Sequence, residues 1–335
     1  MARLTQRPHR RLPGLAVLLT LLGCAWATPV SAAAVVPQNR WERLRALDLR
    51  VAAIGYRLSL ANRALCPRLL APQAGFVLHS IEQYETADRE AAARTFGIGS
   101  HVGVMAVVAG SPAHRSGLMP DDQLVSVNGR ELDLPVPAPD AVTTRAPVES
   151  AQRILTDEMA KGAVVLRVSG TGGNREVRFT ADSGCPSRVE LATGPEINAW
   201  ADGQRAVISE GIVLRCASDG DLALVIGHEL AHNFLHHSQR MAGASADRRL
   251  RLTGSGSAAM RQMEEQADRL AVQMAGAAGY DLSDVVPFLA ALLDAEDFGP
   301  ATGTHPPRGR RLALLKAQIA SSGAKRVLGA LSGEP

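Results

Sequence analysis

Residues 224–237 read LVIGHELAHNFLHH, a run whose Leu, Val, Ile, Ala and Phe would suit a buried helix, yet which carries four histidines and a glutamate. Burying that much polarity is unfavourable unless each group finds a partner, so the stretch is expected to be a core helix and a chemical site at once. HELAH (228–232) has HExxH spacing. Residues four apart project from one face of a helix, so His228 and His232 can place two ring nitrogens on one ion while Glu229 points beside it. Zinc held by three protein groups keeps a position open for water and lowers that water's pKa toward about 7. A neighbouring carboxylate can then accept the proton. Peptide-bond hydrolysis is the reaction this geometry suits.

Such a site needs a third ligand, and MEEQADRLAVQMAGAAGYD (263–281) supplies acids on a second helix. Glu264 and Asp268, four apart, share a helical face, whereas Glu265 lies about 100° around and points elsewhere if Glu264 faces a metal. On spacing alone a solvated charged face explains the same residues equally well.

Around this centre the chain has 335 residues, 46% of them apolar, enough for two packed units. The net charge of +3 owes much to Arg3, Arg7, Arg10 and Arg11, so the remainder is close to neutral and nucleic acid is not an expected partner. Those arginines precede LPGLAVLLTLLGCAWA (12–27), too short for a comfortable membrane span, which reads with the following small residues as a signal segment over 1–32. Two endings compete: cleavage near Ala32, or cleavage before Cys24, since LLGC (21–24) resembles a bacterial lipobox and a lipidated Cys24 would tether the chain to a membrane. Either ending implies export, to a bacterial periplasm or to a membrane-anchored lipoprotein. Of Cys66, Cys185 and Cys216, one pair with one thiol left over is the simplest arithmetic in an oxidising compartment; Cys66 with Cys185 is favoured because Cys216 sits in the apolar stretch GIVLRCA.

Apolar residues at Leu44, Leu47, Val51, Ile54, Leu58 and Ala61 recur at helical steps, and residues 82–94 read as a second, more polar helix. From 96 to 132 short β-rich runs alternate with Gly, Pro and Asp. GSPAHRSGLMPDDQLVSVNG (110–129) resembles the central signature of a PDZ domain, and a helix near 147–161 followed by the strands AVVLRVS and REVRFTA continues that order over about 90 residues. In PDZ-like modules an extended peptide adds a strand beside an exposed edge and its terminus is received by backbone NH groups. The resemblance implies that Phe96, Gly97, Ile98 and Gly99 form that loop, with Val102, Val104 and Ala106 on the strand after it.

Beyond Cys185, EINAWADGQRAVISEGIV (196–213) reads as a hairpin turning at Asp202-Gly203, and helices follow near 219–237, 260–277, 282–294 and 306–321. HELAHNFLHH, EEQADRLAVQMAGAAGYD and THPPRGRRLALL (304–315) resemble the successive motifs of the HtpX- and BepA-type zinc metallopeptidases, gluzincins related to the CaaX prenyl proteases, over about 195–320. That resemblance implies one zinc per chain on His228, His232 and Glu264, with Glu229 as general base. It gives Asp268 the orientation of a ligating histidine, places His305 near the zinc as a cap or oxyanion stabiliser, and matches Arg311 to the arginine six residues on. It also makes Asn198, Ala199 and Trp200 part of an edge strand that pairs with substrate. Neither His236 nor His237 is assigned to metal; both are expected at the helix C-terminus, where imidazolium is favourable. The several membrane spans of HtpX and the prenyl proteases have no counterpart after the signal segment.

The expected architecture is α+β: an N-terminal helical segment (40–95) packed on the catalytic unit, a PDZ-like β-rich domain (96–182), and a mainly helical zincin-type catalytic domain with a small β-sheet or hairpin (186–325). The expected function is a zinc-dependent metalloendopeptidase of the cell envelope acting on envelope or misfolded proteins, with peptide termini bound at the PDZ-like domain. The competing readings are a non-catalytic PDZ-type chaperone or scaffold with a structural zinc, and a metal-dependent hydrolase of non-peptide amides. Glu229 argues against the first, since a structural site needs no base, and pairing along NAWADG argues against the second.

Overall fold

The computed structural model describes residues 39–132, 143–186, 188–244, 254–295 and 306–332. The signal-like segment with Cys24 and the position of His305 lie outside the described residues. Helix α1 (Arg40–Ala61) starts at Asn39, whose side chain accepts the N–H groups of Trp41 and Glu42, satisfying two of the donors that a helix start leaves unpaired. Its three- and four-residue apolar spacing buries Leu47, Val51, Ile54 and Leu58 in the larger of the protein's cores.

Strand β1 (Ala71–Gln73) is followed by β2 (Phe76–His79), α2 (Arg89–Phe96), β3 (Gly103–Val107), α3 (Pro112–Arg115), β4 (Gln123–Val127) and β5 (Arg130–Glu131). Helix α4 (Ala146–Lys161), β6 (Val164–Gly170), β7 (Gly173–Phe179) and β8 (Asp182–Gly184) complete this half. An antiparallel sheet runs in the order β2-β3-β4-β6-β7 with β5 beside β4, while β1 pairs separately with β8. Val102, Val104, Leu124, Leu155, Leu166 and Val168 form its apolar core, the alternate-residue burial expected of half-covered strands.

This strand-rich unit begins at Phe76, not at the expected boundary of 96, because β2 pairs with β3. The helix expected over 82–94 is instead two short 3-10 turns, at 81–83 and 86–88, followed by α2. Ser80 is the reason for the early turn: its side chain and that of Gln83 cap each other's backbone N–H groups, a local alternative to continuous helix that serine offers readily.

The catalytic half holds β9 (Arg188–Ala192), β10 (Ala199–Ala201), β11 (Arg205–Ser209), α5 (Glu210–Val213), α6 (Asp219–Phe234), α7 (His237–Ala244), α8 (Gly254–Ala277), α9 (Val285–Ala295) and α10 (Arg308–Ser332). Its sheet has the order β10-β11-β9, with β10 antiparallel and β9 parallel to β11. Leu222, Leu224, Ile226 and Leu230 of α6 meet Val272, Met274 and Ala275 of α8 in the core shared with α1. Cys66 and Cys185 are disulfide-bonded, as the cysteine arithmetic favours, and Cys216 is a buried free thiol. Among the described residues no helix is long and apolar enough to cross a membrane.

Candidate metal centre and its surroundings

Helix α6 starts at Ser218, whose hydroxyl accepts the Asp221 N–H while the Asp221 carboxylate accepts the Ser218 N–H. This reciprocal cap fixes the start of a helix that is buried from Gly220 to Gly227. Gly227 has no side chain where one would crowd: a Cβ there would meet the Ala271 backbone at 3.3 Å. That close approach of α6 to α8 sets the next turn, with His228 and His232, against Glu264.

The three side chains converge. His228 Nε2 and His232 Nε2 stand 3.1 Å apart, and Glu264 places Oε2 3.5 Å from the first and Oε1 3.6 Å from the second. Nitrogen or oxygen ligands each about 2.0–2.1 Å from a tetrahedral ion sit about 3.3 Å from one another, so these atoms are spaced to share one ion. They form the one such cluster among the described residues. Two imidazoles and a carboxylate are a donor set suited to zinc and other first-row divalent metals.

Each histidine of the candidate ligand set has a partner behind it. Asp268 Oδ1 lies 2.9 Å from His228 Nδ1, and Arg311 of α10 donates two hydrogen bonds to the same carboxylate at 2.8 and 2.9 Å. Asp268 is almost wholly buried, and despite the upward push of burial its carboxyl is held below the usual range by His228 and Arg311. Burial also opposes charge on His228, yet Asp268 and Glu264 outweigh it and lift the imidazole to about 10; burial, with His228 beside it, pushes His232 down to about 3. The two carboxylates, one on each ring nitrogen of His228, favour a positive charge at this point, which is what a bound cation would supply.

Glu229 is buried one position beyond His228, and Glu265 turns away to Arg310 at 2.5 Å. His237 departs from expectation. It does not end α6 but starts α7 and lies buried, with Nδ1 3.1 Å from His232 Nδ1 and Nε2 3.3 Å from Gln266 Oε1. It stands behind His232 as Asp268 stands behind His228. His236 provides the cause: its left-handed backbone (φ 54°) ends α6 and redirects the chain into α7.

Asn198, Ala199 and Trp200 lie on or beside β10, which pairs only with β11. Its other edge has no strand partner among the described residues, and Trp200 is 41% exposed there. The expected PDZ loop, by contrast, is not one. Phe96 and Ile98 are buried with Trp41, Ala92 and Met105, and Gln123 takes both the Gly99 N–H and the Gly97 carbonyl. The strand after it, β3, is paired on both sides. β2 ends the sheet with no second strand partner among the described residues, and it faces α4 across a cleft of about 1860 Å³ lined by Phe76, Val77, Leu78, Leu155 and Met159.

The same cleft runs on to Arg188, Glu190, Asp202 and Arg205 of the catalytic sheet. Arg145, at the start of α4, donates to Glu190 at 2.6 Å, and Arg188 donates to Gln152 of α4. Burial and the neighbouring Glu190 carboxylate push Asp48 of α1 up to about 7, against Arg145.

HExxH on a buried helix, a carboxylate from α8 and an open strand edge together form the site of a metallopeptidase. Family comparison agrees: the model of peptidase family M48 matches residues 175–260 and 250–319, and a PDZ domain model matches 103–136. The chain thus has a region similar to peptidase family M48 and one similar to PDZ domains. No curated protein matches the chain.

Proposed function

We propose that this protein is a zinc-dependent endopeptidase of the cell envelope, hydrolysing extended segments of envelope or misfolded proteins whose termini engage the PDZ domain. The observation that carries the reading is the convergence of His228 and His232, on the helix that packs against the open-edged β10 strand, with Glu264 of α8 within ligand distance of both. Zinc, held by those three side chains, would supply Lewis acidity toward the scissile carbonyl and its water. Glu229 takes the attacking water's proton and returns it to the leaving amine. Asp268 and His237 keep the two imidazoles in the orientation that presents Nε2 to the metal, and Arg311 holds Asp268. β10 aligns the substrate backbone by main-chain pairing, and Trp200 contributes an apolar contact on that edge. For the PDZ domain, β2 facing α4 offers the free edge that strand addition needs.

Export rests on the N-terminal apolar segment and small-residue motif, with Cys24 as a lipidation site in the anchored form. The test is cleavage of an unstructured protein by the wild type and by Glu229→Gln, with zinc measured in both. Cleavage by the wild type alone, at equal zinc content, is the expected result. Equal cleavage by both would remove Glu229 from the mechanism. Mass analysis of the mature N-terminus decides between Cys24 and the later cleavage site.

A further inference from the structure

The turn between β10 and β11 is held more firmly than a hairpin requires. The Asp202 N–H already closes it onto the Arg205 carbonyl at 3.2 Å. The Asp202 carboxylate then accepts the N–H groups of Gln204 and Arg205 at 2.9 and 2.7 Å, and the Arg205 Nε at 2.8 Å. Gly203, at φ 95°, supplies the left-handed residue the turn needs. This is a self-sufficient turn. Even so, the Gly203 N–H donates a further bond at 2.8 Å to Asn233 Oδ1, from a buried side chain of α6 directly following His232. On the opposite side Arg205 Nη1 reaches Glu190 at 3.3 Å and Glu149 of α4 at 3.8 Å.

We infer that Asn233 and Arg205 are positioning residues which clamp the Asp202–Arg205 turn, fixing the substrate edge β10 against the metal-binding helix and joining it to α4 of the PDZ domain. The inference rests on the reading of β10 as the substrate edge. A three-residue end strand with one paired neighbour is otherwise held only by its packing against α6, which fixes no register by itself, and a substrate strand laid on it delivers its carbonyl to the metal only if strand and helix keep one register. Because the turn is internally stiff, one bond to α6 positions all of it. Because Arg205 touches Glu149, the PDZ helix shares in that placement.

The test uses full-length enzyme and a peptide series that shares one scissile bond and lengthens stepwise along β10, with kcat and KM measured separately. Melting temperature and metal stoichiometry are recorded for each variant. In the wild type kcat/KM should climb with length. Asn233→Ala should cost about tenfold on the longest peptide, chiefly in KM, with the loss shrinking as the peptide shortens. Asn233→Asp keeps an oxygen acceptor for the Gly203 N–H and should recover most of it. Arg205→Gln, about a quarter exposed and removed from the metal ligands, should show the same length-dependent pattern at about threefold, and it decides the matter if Asn233→Ala does not fold. A uniform loss at every length, a loss that follows metal content, or a wild-type length dependence that survives both substitutions would overturn the clamp alone. A wild type indifferent to length would sink the substrate-edge reading and the clamp with it.

Discussion

The metal-binding corner and the PDZ domain bury polar groups on opposite terms. Between α6 and α8, two histidines, Asp268 and Glu229 are drawn into the interior and both histidines are backed by a partner, from Arg311 through Asp268 to His228 and from Gln266 through His237 to His232. The PDZ core of Val104, Leu124, Leu166 and Val168 is apolar, and a polar group buried beside it, Asp122, is bonded within the same unit to Arg175 and the Met119 N–H. A half-satisfied polar network is costlier than an apolar core, so the corner has to be complete to be stable, whereas the PDZ sheet tolerates an open edge at β2. One region is built to hold charge still and the other to leave backbone hydrogen-bonding groups available.

The strongest challenge to that contrast is Glu229→Gln, which should lower turnover by about 10²–10⁴-fold while zinc stays bound. A variant that loses both would place Glu229 among the ligands. Breaking the tie between the regions comes next. With Cys66 and Cys185 both changed to Ser, unfolding free energy should fall by about 2–5 kcal/mol, read from denaturant titration with and without reductant, and zinc affinity should change little because the ligands lie outside the ring.

Asp268→Ala should weaken zinc binding by about 10–100-fold, measured by competition with a chelator, and also leave Arg311 buried without its carboxylate. A smaller effect is expected at the seam, from Asp48. Its raised folded-state pKa, about 7, means the folded protein holds a proton there more tightly than the unfolded chain. Stability from this group is therefore present below the ordinary aspartate value and declines as pH rises through 7. Asp48→Asn should accordingly stabilise the protein by about 1–2 kcal/mol at pH 8 and leave it nearly unchanged at pH 4. Glu265→Ala should be the mildest, costing about 1 kcal/mol or less through the lost pairs with the solvent-exposed arginines Arg310 and Arg269, with zinc content unaltered.

What could be read in advance follows the reach of the interactions. HExxH and ExxxD are helical-period patterns, so His228, His232, Glu264 and Asp268 could be located from local spacing, and the turning away of Glu265 from the same wheel. The cystine was accessible by elimination. His237 was not: on a continuous helix it would lie about 140° from His232, and only the left-handed break at His236 brings it back. The open edge at β2 was missed for a different reason. FVLH (76–79) is a four-residue run whose partner, β3, lies beyond an inserted helix, and that pairing is topological. Phe96 was misplaced because its apolar side chain serves the end of α2 rather than a loop.

The bond between Cys66 and Cys185 spans 119 residues of sequence, and β2 through β7 all fall inside that ring. For an enzyme that cuts polypeptides this bears on its own survival. A single backbone break anywhere from residue 67 to 184 leaves every part of the chain covalently attached, so a molecule nicked there by a sister copy would migrate as one band without reductant and as two with it. Breaks outside the ring have no such protection, and the catalytic half, with its helices packed around α6, has to resist attack by folding alone.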